Sequence, residues 1–319
     1  MAAEPSLTGK TYAPSWPMSR EKLYALLGEL PPRHRPISVT HVAEDDMGDF
    51  TLEHLVLDLN GLEKVPAFFT RPKNAKPPYP TVLFSHSHGG FYHMGKNELL
   101  TPAPYGYPTP YAQVLAKMGI ACLAIDHWCF GERQGRSEGD AFRSMLWKGQ
   151  VMWGMMVYDS LRAVDYLLSR EDVDSGRIGA LGMSMGSTMS IWAAALDTRI
   201  KMCVDLCCLT DFEELEKQGN LSAHGIFYYV PSLTKHFTMA DICQLIAPRP
   251  HLSTAGIYDV LTPTAGLCKI EKTLSNIGES TGAHTGANNS GFTLKTYPCG
   301  HLETREMRED VLAFVRRNL

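Results

Sequence analysis

The chain has 319 residues, of which 44% are hydrophobic and 20% charged, which is enough apolar material for the two-sided core of one large domain. Its net charge of −4 and the absence of a basic run argue against a nucleic-acid partner. No apolar stretch approaches the ~20 residues of a membrane span, so we expect no membrane partner. The start of the chain lacks the pattern of a signal peptide, and most cysteines fall in predicted elements, so we expect a cytoplasmic protein with reduced thiols.

The N-terminal part of the chain is rich in proline and is predicted to be mostly irregular. We interpret residues 1–36 as an arm, with one short helix near 20–30, that packs on a single catalytic domain at 37–319. Three strands, which we expect to pair antiparallel, open this domain at 39–44, 51–60 and 65–71. Strands then alternate with helices, which predicts an α/β fold with a doubly wound, mostly parallel sheet.

Three long segments interrupt this alternation, each directly after a predicted strand. They span 91–110, 127–150 and 210–235 and are called the first, second and third insertions below. Because α/β sheets bind ligands at the carboxyl ends of their strands, we expect all three insertions to overhang the functional site. A further polar segment at 276–290 is predicted to be a mobile loop.

The most informative motif is Gly-Met-Ser-Met-Gly at 182–186. It follows a short apolar strand at 177–181 and precedes a helix predicted over 187–196. A G-x-S-x-G motif between a strand and a helix is typical of a nucleophile elbow, in which a sharp turn presents the serine above the sheet. Ser184 is therefore the candidate nucleophile, and a glycine-flanked surface turn is the alternative interpretation.

Two candidate partners of Ser184 follow it in the chain, each after a predicted strand. Asp259 lies just past the strand at 250–256, and His301 follows the strand at 292–297. A serine hydroxyl needs a base to take its proton, and a histidine held by an aspartate supplies one near neutral pH. We predict the triad Ser184-Asp259-His301, and the alternatives are a helix cap for Asp259 and a surface histidine for His301.

The same chemistry needs donors for the oxyanion of a tetrahedral intermediate. One is predicted to be the backbone N–H of Met185, the residue after the nucleophile. The second is expected from the segment at 84–90, which follows a buried strand at 79–83. We assign it to the backbone N–H of His88, with that of Gly89 as the alternative.

Aromatic and apolar side chains near the same strand ends are candidates for a pocket wall that takes an acyl or aromatic group. Ordinary packing under a loop is the alternative for each of them, and Met185 is the alternative for Met183. The candidates are Trp128, Phe130, Met183, Tyr229 and Tyr258.

Four histidines also lie near two of the strand ends, at positions 86, 88, 93 and 127. Because no ligand spacing of a zinc enzyme accompanies them, we interpret them as structural. We therefore predict no metal and no cofactor.

Several segments together resemble the dienelactone-hydrolase and acetyl-xylan-esterase-like group of serine esterases, within the α/β-hydrolase superfamily. They are His-Ser-His-Gly-Gly at 86–90, the segment at 126–133, the helix at 153–169, the motif at 182–186, the segment at 246–250, and Gly-His at 300–301. The resemblance implies an α/β-hydrolase fold and ester hydrolysis. The chain departs from these proteins at Ser184, where dienelactone hydrolases proper have cysteine, and at Ser87, where relatives usually have glycine.

These observations predict a serine carboxylesterase that hydrolyses small, short-chain acyl or acetyl esters through an acyl-enzyme. Acyl transfer and the hydrolysis of small peptides or amides are alternatives on the same triad. A non-enzymatic binding protein is disfavoured, because it would not need all the elements of the elbow and the triad. The natural ester could be a sugar acetate, an aliphatic ester or an aromatic ester, and the sequence sets no oligomeric state.

Overall fold

A computed structural model describes residues 19–280 and 291–319 of the chain. It places a nine-stranded sheet between two layers of helices. The strands are β1 Ser38–Asp46, β2 Phe50–Asp58, β3 Val65–Pro72, β4 Tyr79–Ser85, β5 Ala121–Ile125, β6 Val173–Met183, β7 Ile200–Leu206, β8 His251–Gly256 and β9 Phe292–Tyr297. The helices of the described residues are α1 Arg20–Ala25, α2 Tyr111–Lys117, α3 Glu138–Trp147, α4 Met152–Ser169, α5 Met185–Leu196, α6 Phe212–Lys217, α7 Met239–Gln244, α8 Thr264–Ser280 and α9 Arg305–Asn318.

The strand order across the sheet is β1-β2-β3-β5-β4-β6-β7-β8-β9. The pairs from β1 to β5 are antiparallel, and every pair from β5 to β9 is parallel, as the sequence predicts. The chain leaves β4 for β5 on one side and then passes to β6 on the other. The carboxyl ends of β4 and β6 therefore flank a point at which the strand order reverses, which is where open α/β sheets bind ligands.

The core has two apolar clusters, one on each face of the sheet. Because side chains alternate along a strand, Leu83 of β4 and Ala180 of β6 join the cluster under α1, α4 and α5. Their neighbours Val82 and Leu181 join the cluster under α2 and α9. The central strands are buried on both faces and hence continuously apolar, whereas the edge strand β1 is exposed along its whole length and is polar.

The described part of the predicted N-terminal arm, residues 19–36, packs on this sheet-and-helix body. Leu23 and Leu27 are fully buried in the cluster under α1. Arg20 donates from Nε to the carbonyl of Ala195 at 2.9 Å, and Arg162 donates to the carbonyl of Arg33 at 2.7 Å. Residues 1–18 of the predicted arm lie outside the described residues.

The polar segment predicted as a loop at 276–290 is partly helical, because α8 continues through Ser280. The residues at 276–280 are as polar as those that follow them, so composition alone does not mark where this helix ends. Residues 281–290 of this segment lie outside the described residues. In the described part of the chain, no helix has the length and hydropathy needed to span a membrane.

Candidate active site

Ser184 occupies the turn between β6 and α5 in a strained backbone conformation. Its φ of 57° and ψ of −120° lie where non-glycine residues cost ~1–3 kcal/mol, and its N–H donates to the carbonyl of Leu206 at 2.8 Å. A Cβ on Gly182 or Gly186 would overlap the backbone of Ser85 at the end of β4. The flanking glycines are therefore required because β4, β6 and α5 meet at this point.

The side chain of Ser184 meets His301, and His301 meets Asp259. The Nε2 atom of His301 lies 2.9 Å from Ser184 Oγ, and its Nδ1 lies 2.7 Å from Asp259 Oδ2. The Asp259 carboxylate also accepts the N–H of Leu261 at 2.9 Å and the hydroxyl of Thr262 at 3.1 Å. Its buried oxygens are thus held in one orientation, with His301 Nδ1–H as a third donor.

The charge of Asp259 sets the protonation of His301. Burial by itself lowers the pKa of His301, but the hydrogen bond to Asp259 and the negative charge of that carboxylate outweigh it and raise the pKa above the usual value. A carboxylate can only accept, so Nδ1 carries the proton of the neutral ring. That leaves Nε2 as an acceptor that faces the Ser184 hydroxyl.

The predicted oxyanion donors border the same space. Met185 is the first residue of α5, so its N–H has no acceptor within the helix. His88 and Gly89 follow β4 and line the cavity that contains Ser184. The His88 ring is held from behind, because Nδ1 accepts the N–H of Gly90 at 3.1 Å and Nε2 lies 2.9 Å from the hydroxyl of Tyr92.

The cavity at Ser184 has a volume of about 320 Å³. Its walls come from the end of β4, the start of α5, the first and third insertions, and the turns after β7, β8 and β9. The lining residues are His88, Gly89, Gly90, Tyr105, Ser184, Met185, Cys208, Ala223, His224, Gly225, Phe227, Tyr228, Leu261 and His301.

Comparison with known proteins assigns this chain to a family. The family model for acetyl xylan esterase (AXE1) matches residues 42–230, a range that contains Ser184. The protein YtaP of Bacillus subtilis (strain 168), whose name describes a hydrolase, is 49% identical over 298 residues, which cover 93% of this chain and 98% of that relative. The chain belongs to the acetyl xylan esterase family.

Solved structures of similar fold include three esterases. They are the acetyl xylan esterase of Paenibacillus sp. R4 (20% identity, TM-score 0.65, 99% of this chain and 97% of that one), acetyl xylan esterase 1 of Thermoanaerobacterium sp. JW/SL YS485 (15%, 0.64, 95% and 99%) and a glucuronoyl esterase from Solibacter usitatus (16%, 0.67, 94% and 92%). At these identities the likeness shows the α/β-hydrolase fold, so the predicted fold class is confirmed. The family shows that this protein is a carboxylic ester hydrolase.

The pocket wall of this esterase differs from the predicted one: none of the five predicted wall residues lines the cavity, whereas Met185, the alternative to Met183, does. Phe130 is fully buried behind the wall, where it stacks on Tyr92 at 5.1 Å between ring centroids and meets Phe227 edge-on at 6.1 Å. Trp128 is buried under the guanidinium of Arg133, 4.6 Å from its ring centroid. Both aromatic rings therefore support the site from behind.

The other three predicted wall residues do not line the cavity either. Met183 packs in the apolar cluster under α2 and α9. Tyr229 donates its hydroxyl to the carbonyl of Leu221 at 2.6 Å, and Tyr258 is 67% exposed. A helical turn at Ile226–Tyr228 directs Phe227 and Tyr228 inward instead, so the third insertion supplies the wall through the two residues before Tyr229.

Two wall residues that the sequence analysis missed are polar. His224 lies in the third insertion, where its Nε2 donates to the carbonyl of Leu261 at 3.2 Å and its Nδ1 faces the Cys208 sulfur at 4.0 Å. Burial lowers the pKa of His224, which keeps the ring neutral, with Nδ1 as an acceptor. Tyr105 of the first insertion lies with its ring centroid 6.1 Å from that of His301. No spacing pattern in the sequence connects these residues to the triad.

Buried ion pairs hold the insertions in place. Asp126, just after β5, accepts the backbone N–H of Lys96 at 2.7 Å and its ammonium at 2.9 Å, which ties the first insertion to the carboxyl end of β5. Glu303, two residues after His301, receives two hydrogen bonds of 2.7 Å from Arg308 and one of 2.6 Å from the hydroxyl of Tyr111. Removing one partner of such a pair typically costs about 3–5 kcal/mol, because the other charge is left buried and uncompensated.

Two of the four histidines near β4 and β5, His86 and His127, contact each other. The N–H of His127 donates to His86 Nε2 at 3.1 Å, and His86 Nδ1 lies 2.8 Å from the carbonyl of Ser87. Within the described ranges, the group of side chains with the spacing of metal ligands is His41, Glu44 and Glu53 on β1 and β2. It includes no residue of the predicted site.

Proposed function

We propose that this esterase is a serine carboxylesterase that cleaves short-chain acyl esters, foremost acetyl esters of carbohydrates, through an acyl-enzyme on Ser184. The observation that carries the proposal is the hydrogen-bonded series Ser184–His301–Asp259 at the wall of a small cavity. Such a series gives serine a base of suitable pKa and gives that base a fixed orientation. The family name supports acetyl groups on a carbohydrate as the substrate class.

The positions of the atoms support the following reaction. His301 Nε2 takes the proton of Ser184 Oγ as that oxygen attacks the ester carbonyl, and Asp259 stabilises the imidazolium that forms. The N–H of Met185 and a second N–H, from His88 or Gly89, donate hydrogen bonds to the developing oxyanion. His301 then gives its proton to the leaving alcohol. Water attacks the acyl-enzyme by the same steps and releases the carboxylic acid.

The size of the cavity sets the expected acyl group. About 320 Å³ is near the lower end of the range of ligand pockets, and it must also contain part of the alcohol. The apolar part of the wall is formed by Met185, Phe227, Tyr228 and Leu261. An acetyl to butyryl chain fits beside these side chains, whereas a long acyl chain would extend beyond them.

We expect acetyl to butyryl esters to be hydrolysed faster than esters of ten carbons or more. Each well-fitted methylene contributes only ~1–3 kcal/mol, so the preference should be graded. Phe227→Ala should move the optimum to longer chains, because Phe227 lines the cavity. A series of 4-nitrophenyl esters of increasing chain length measures both effects.

Tyr229→Ala is the matched control, since Tyr229 is an aromatic residue of the same insertion that does not line the cavity. Its chain-length profile should equal that of the parent. An optimum at ten carbons in the parent, or an unchanged profile in Phe227→Ala, would contradict the assigned wall.

The alcohol part of the substrate has a second surface available at the rim. Tyr258 and Val260 flank Asp259 and are 67% and 71% exposed. With Gln218 and Asn220 they border a shallow depression of about 430 Å³. An exposed ring beside amide groups suits a sugar, because the ring covers its C–H face and the amides bind its hydroxyls.

Tyr258→Ala is expected to raise KM for an acetylated xylo-oligosaccharide by about threefold to tenfold, which corresponds to about 1 kcal/mol of lost contact. The kcat of the variant, and its kinetics on 4-nitrophenyl acetate, should stay near the parent values, because the triad is untouched. Trp147→Ala serves as control, since Trp147 is 92% exposed and borders neither cavity. Equal effects of Tyr258→Ala on both substrates would show that the rim does not bind the alcohol.

A further inference from the structure

A buried carboxylate lies directly behind the segment that carries the second oxyanion donor. Glu98 belongs to a helical turn, Gly95–Leu99, of the first insertion. Its Oε2 accepts both hydrogens that Ser87 offers, the backbone N–H at 2.7 Å and the hydroxyl at 2.6 Å. Ser87 precedes His88, so Glu98 fixes the peptide from which that donor segment starts.

Tyr105 connects these hydrogen bonds to the cavity. The oxygen of the Ser87 hydroxyl also makes a hydrogen bond with the hydroxyl of Tyr105. The Tyr105 ring lies so close to Gly89 that a Cβ at that position would overlap it, and Tyr105 lines the cavity. Glu98, Ser87 and Tyr105 thus enclose the His88–Gly89 segment from two sides.

Glu98 differs from the other buried acids of the site in its lack of a cation. Asp126 pairs with Lys96, and Glu303 with Arg308, whereas no salt bridge reaches Glu98 from any residue that the structure describes. The charged and titratable groups that face it are Tyr105 of its own insertion and Glu303, which Arg308 neutralises. Burial raises the pKa of Glu98 to about 7, and the hydrogen bonds from Ser87 only partly oppose this rise.

We propose that Glu98 is a positioning residue that must be ionised for full activity, because its carboxylate holds Ser87 and thereby the His88–Gly89 oxyanion segment. The inference rests on the proposed function, in which that segment supplies a donor. An uncompensated buried carboxylate destabilises a fold, and the two hydrogen bonds from Ser87 offset part of that cost.

Protonation of Glu98 reverses the direction of the hydrogen bonds that join Glu98, Ser87 and Tyr105. With Glu98 ionised, Tyr105 donates to Ser87 and Ser87 donates to the carboxylate. With a proton on Oε2, the carboxyl group donates to Ser87 Oγ, which then donates to Tyr105. The anchoring of the Ser87 N–H weakens at the same time, because a neutral carboxyl oxygen is a poorer acceptor than a carboxylate.

Two ionisations should therefore govern the acid limb of the pH profile, those of His301 and Glu98. Both have pKa values raised above their usual ranges, so kcat/KM should fall by more than tenfold per pH unit over the range where Glu98 takes up its proton, and the form with protonated Glu98 should keep about a tenth of the activity. Glu98→Gln keeps the shape but removes one ionisation. In this variant the acid limb of kcat/KM should fall by no more than tenfold per pH unit. Its kcat should be lowered about tenfold, with KM nearly unchanged.

A measurement without substrate tests the same group. The folded-state pKa of about 7 exceeds the ~4.3 of an unfolded glutamate, so the folded state binds more protons between these values. The parent should therefore lose unfolding free energy relative to Glu98→Gln as the pH rises from 4.5 to 8. Urea midpoints across this range measure the difference.

Ser87→Ala gives an independent variant if Glu98→Gln does not fold. It removes the hydroxyl that favours ionised Glu98, so the acid limb of its kcat/KM profile should move to higher pH.

Ser190→Ala is the matched control, because that buried hydroxyl has no hydrogen-bond partner among the described residues. The acid limb of its kcat/KM profile should stay in place. A single-proton limb in the parent, or an unchanged limb in both Glu98→Gln and Ser87→Ala, would overturn the proposal. Full activity in Ser184→Ala would instead refute the proposed function, and the urea midpoints would still decide the ionisation of Glu98.

Discussion

Replacing Ser184 with alanine is expected to reduce ester hydrolysis by about 10³-fold or more and to leave the protein folded. Alanine keeps a Cβ at the strained position, so the backbone strain does not change, and the glycines at 182 and 186 remain. The loss is confined to the hydroxyl that His301 Nε2 contacts at 2.9 Å. The rate of hydrolysis of an acetyl ester tests the expected loss of activity. A thermal unfolding scan of both proteins tests whether the variant is folded.

Ser190→Ala controls for the loss of a hydroxyl from α5, the helix that follows Ser184. It should retain parental turnover, because Ser190 is buried away from the cavity. A serine-directed phosphonate should label the parent protein at Ser184 and should fail to label Ser184→Ala. Near-parental turnover in Ser184→Ala would remove Ser184 from the mechanism.

The positions of the proposed triad could be read from the sequence because they depend on local patterns. Each of the three residues follows a strand, and the chain order serine, aspartate, histidine together with the parallel sheet brings the three strand ends to one edge. The glycines at 182 and 186 mark a close approach of backbones, which only residues without a Cβ allow. These signals need no knowledge of how the insertions fold.

The pocket wall could not be read in this way, because it depends on tertiary packing of the insertions. Phe227, Tyr228 and Tyr229 are all aromatic. A single helical turn decides which of them face the cavity. Trp128 and Phe130 have the size and hydrophobicity of wall residues, yet the guanidinium of Arg133 covers Trp128 and the ring of Tyr92 covers Phe130. An apolar side chain after a strand is equally suited to lining a cavity and to supporting its lining.

Polar contacts between distant parts of the chain were also beyond the sequence analysis. Glu98 binds a residue 11 positions earlier, and His224 binds a carbonyl 37 positions later. No motif has these separations, because the loops that create them have no regular periodicity. Only the folded positions of the first and third insertions reveal these contacts.

Asp259→Asn is expected to lower kcat by about 10³–10⁴-fold with little effect on folding. An asparagine fills the same volume, but it can present its NH₂ group to His301 and thereby favour the tautomer that has its proton on Nε2. That tautomer cannot accept the proton of Ser184.

The hydrogen bond and the charge of Asp259 also raise the pKa of His301, so their loss should lower that pKa. The parent loses activity as the pH falls through the raised pKa, and the residual activity of the variant should persist to lower pH.

Asp205→Asn is the control that separates this role from a general effect of removing a buried acid. Asp205 at the end of β7 also accepts from a histidine at 2.7 Å, but that histidine is His251, and Ser253 donates to the same carboxylate at 2.8 Å. Neither partner borders the cavity, so folded Asp205→Asn should keep the parental pH profile and most of its kcat. Full activity in Asp259→Asn together with an inactive, folded Asp205→Asn would place the catalytic acid one strand earlier. If Asp259→Asn shows only the lowered kcat or only the shifted pH profile, the effect of Asp259 on the tautomer of His301 is separate from its effect on the pKa of His301.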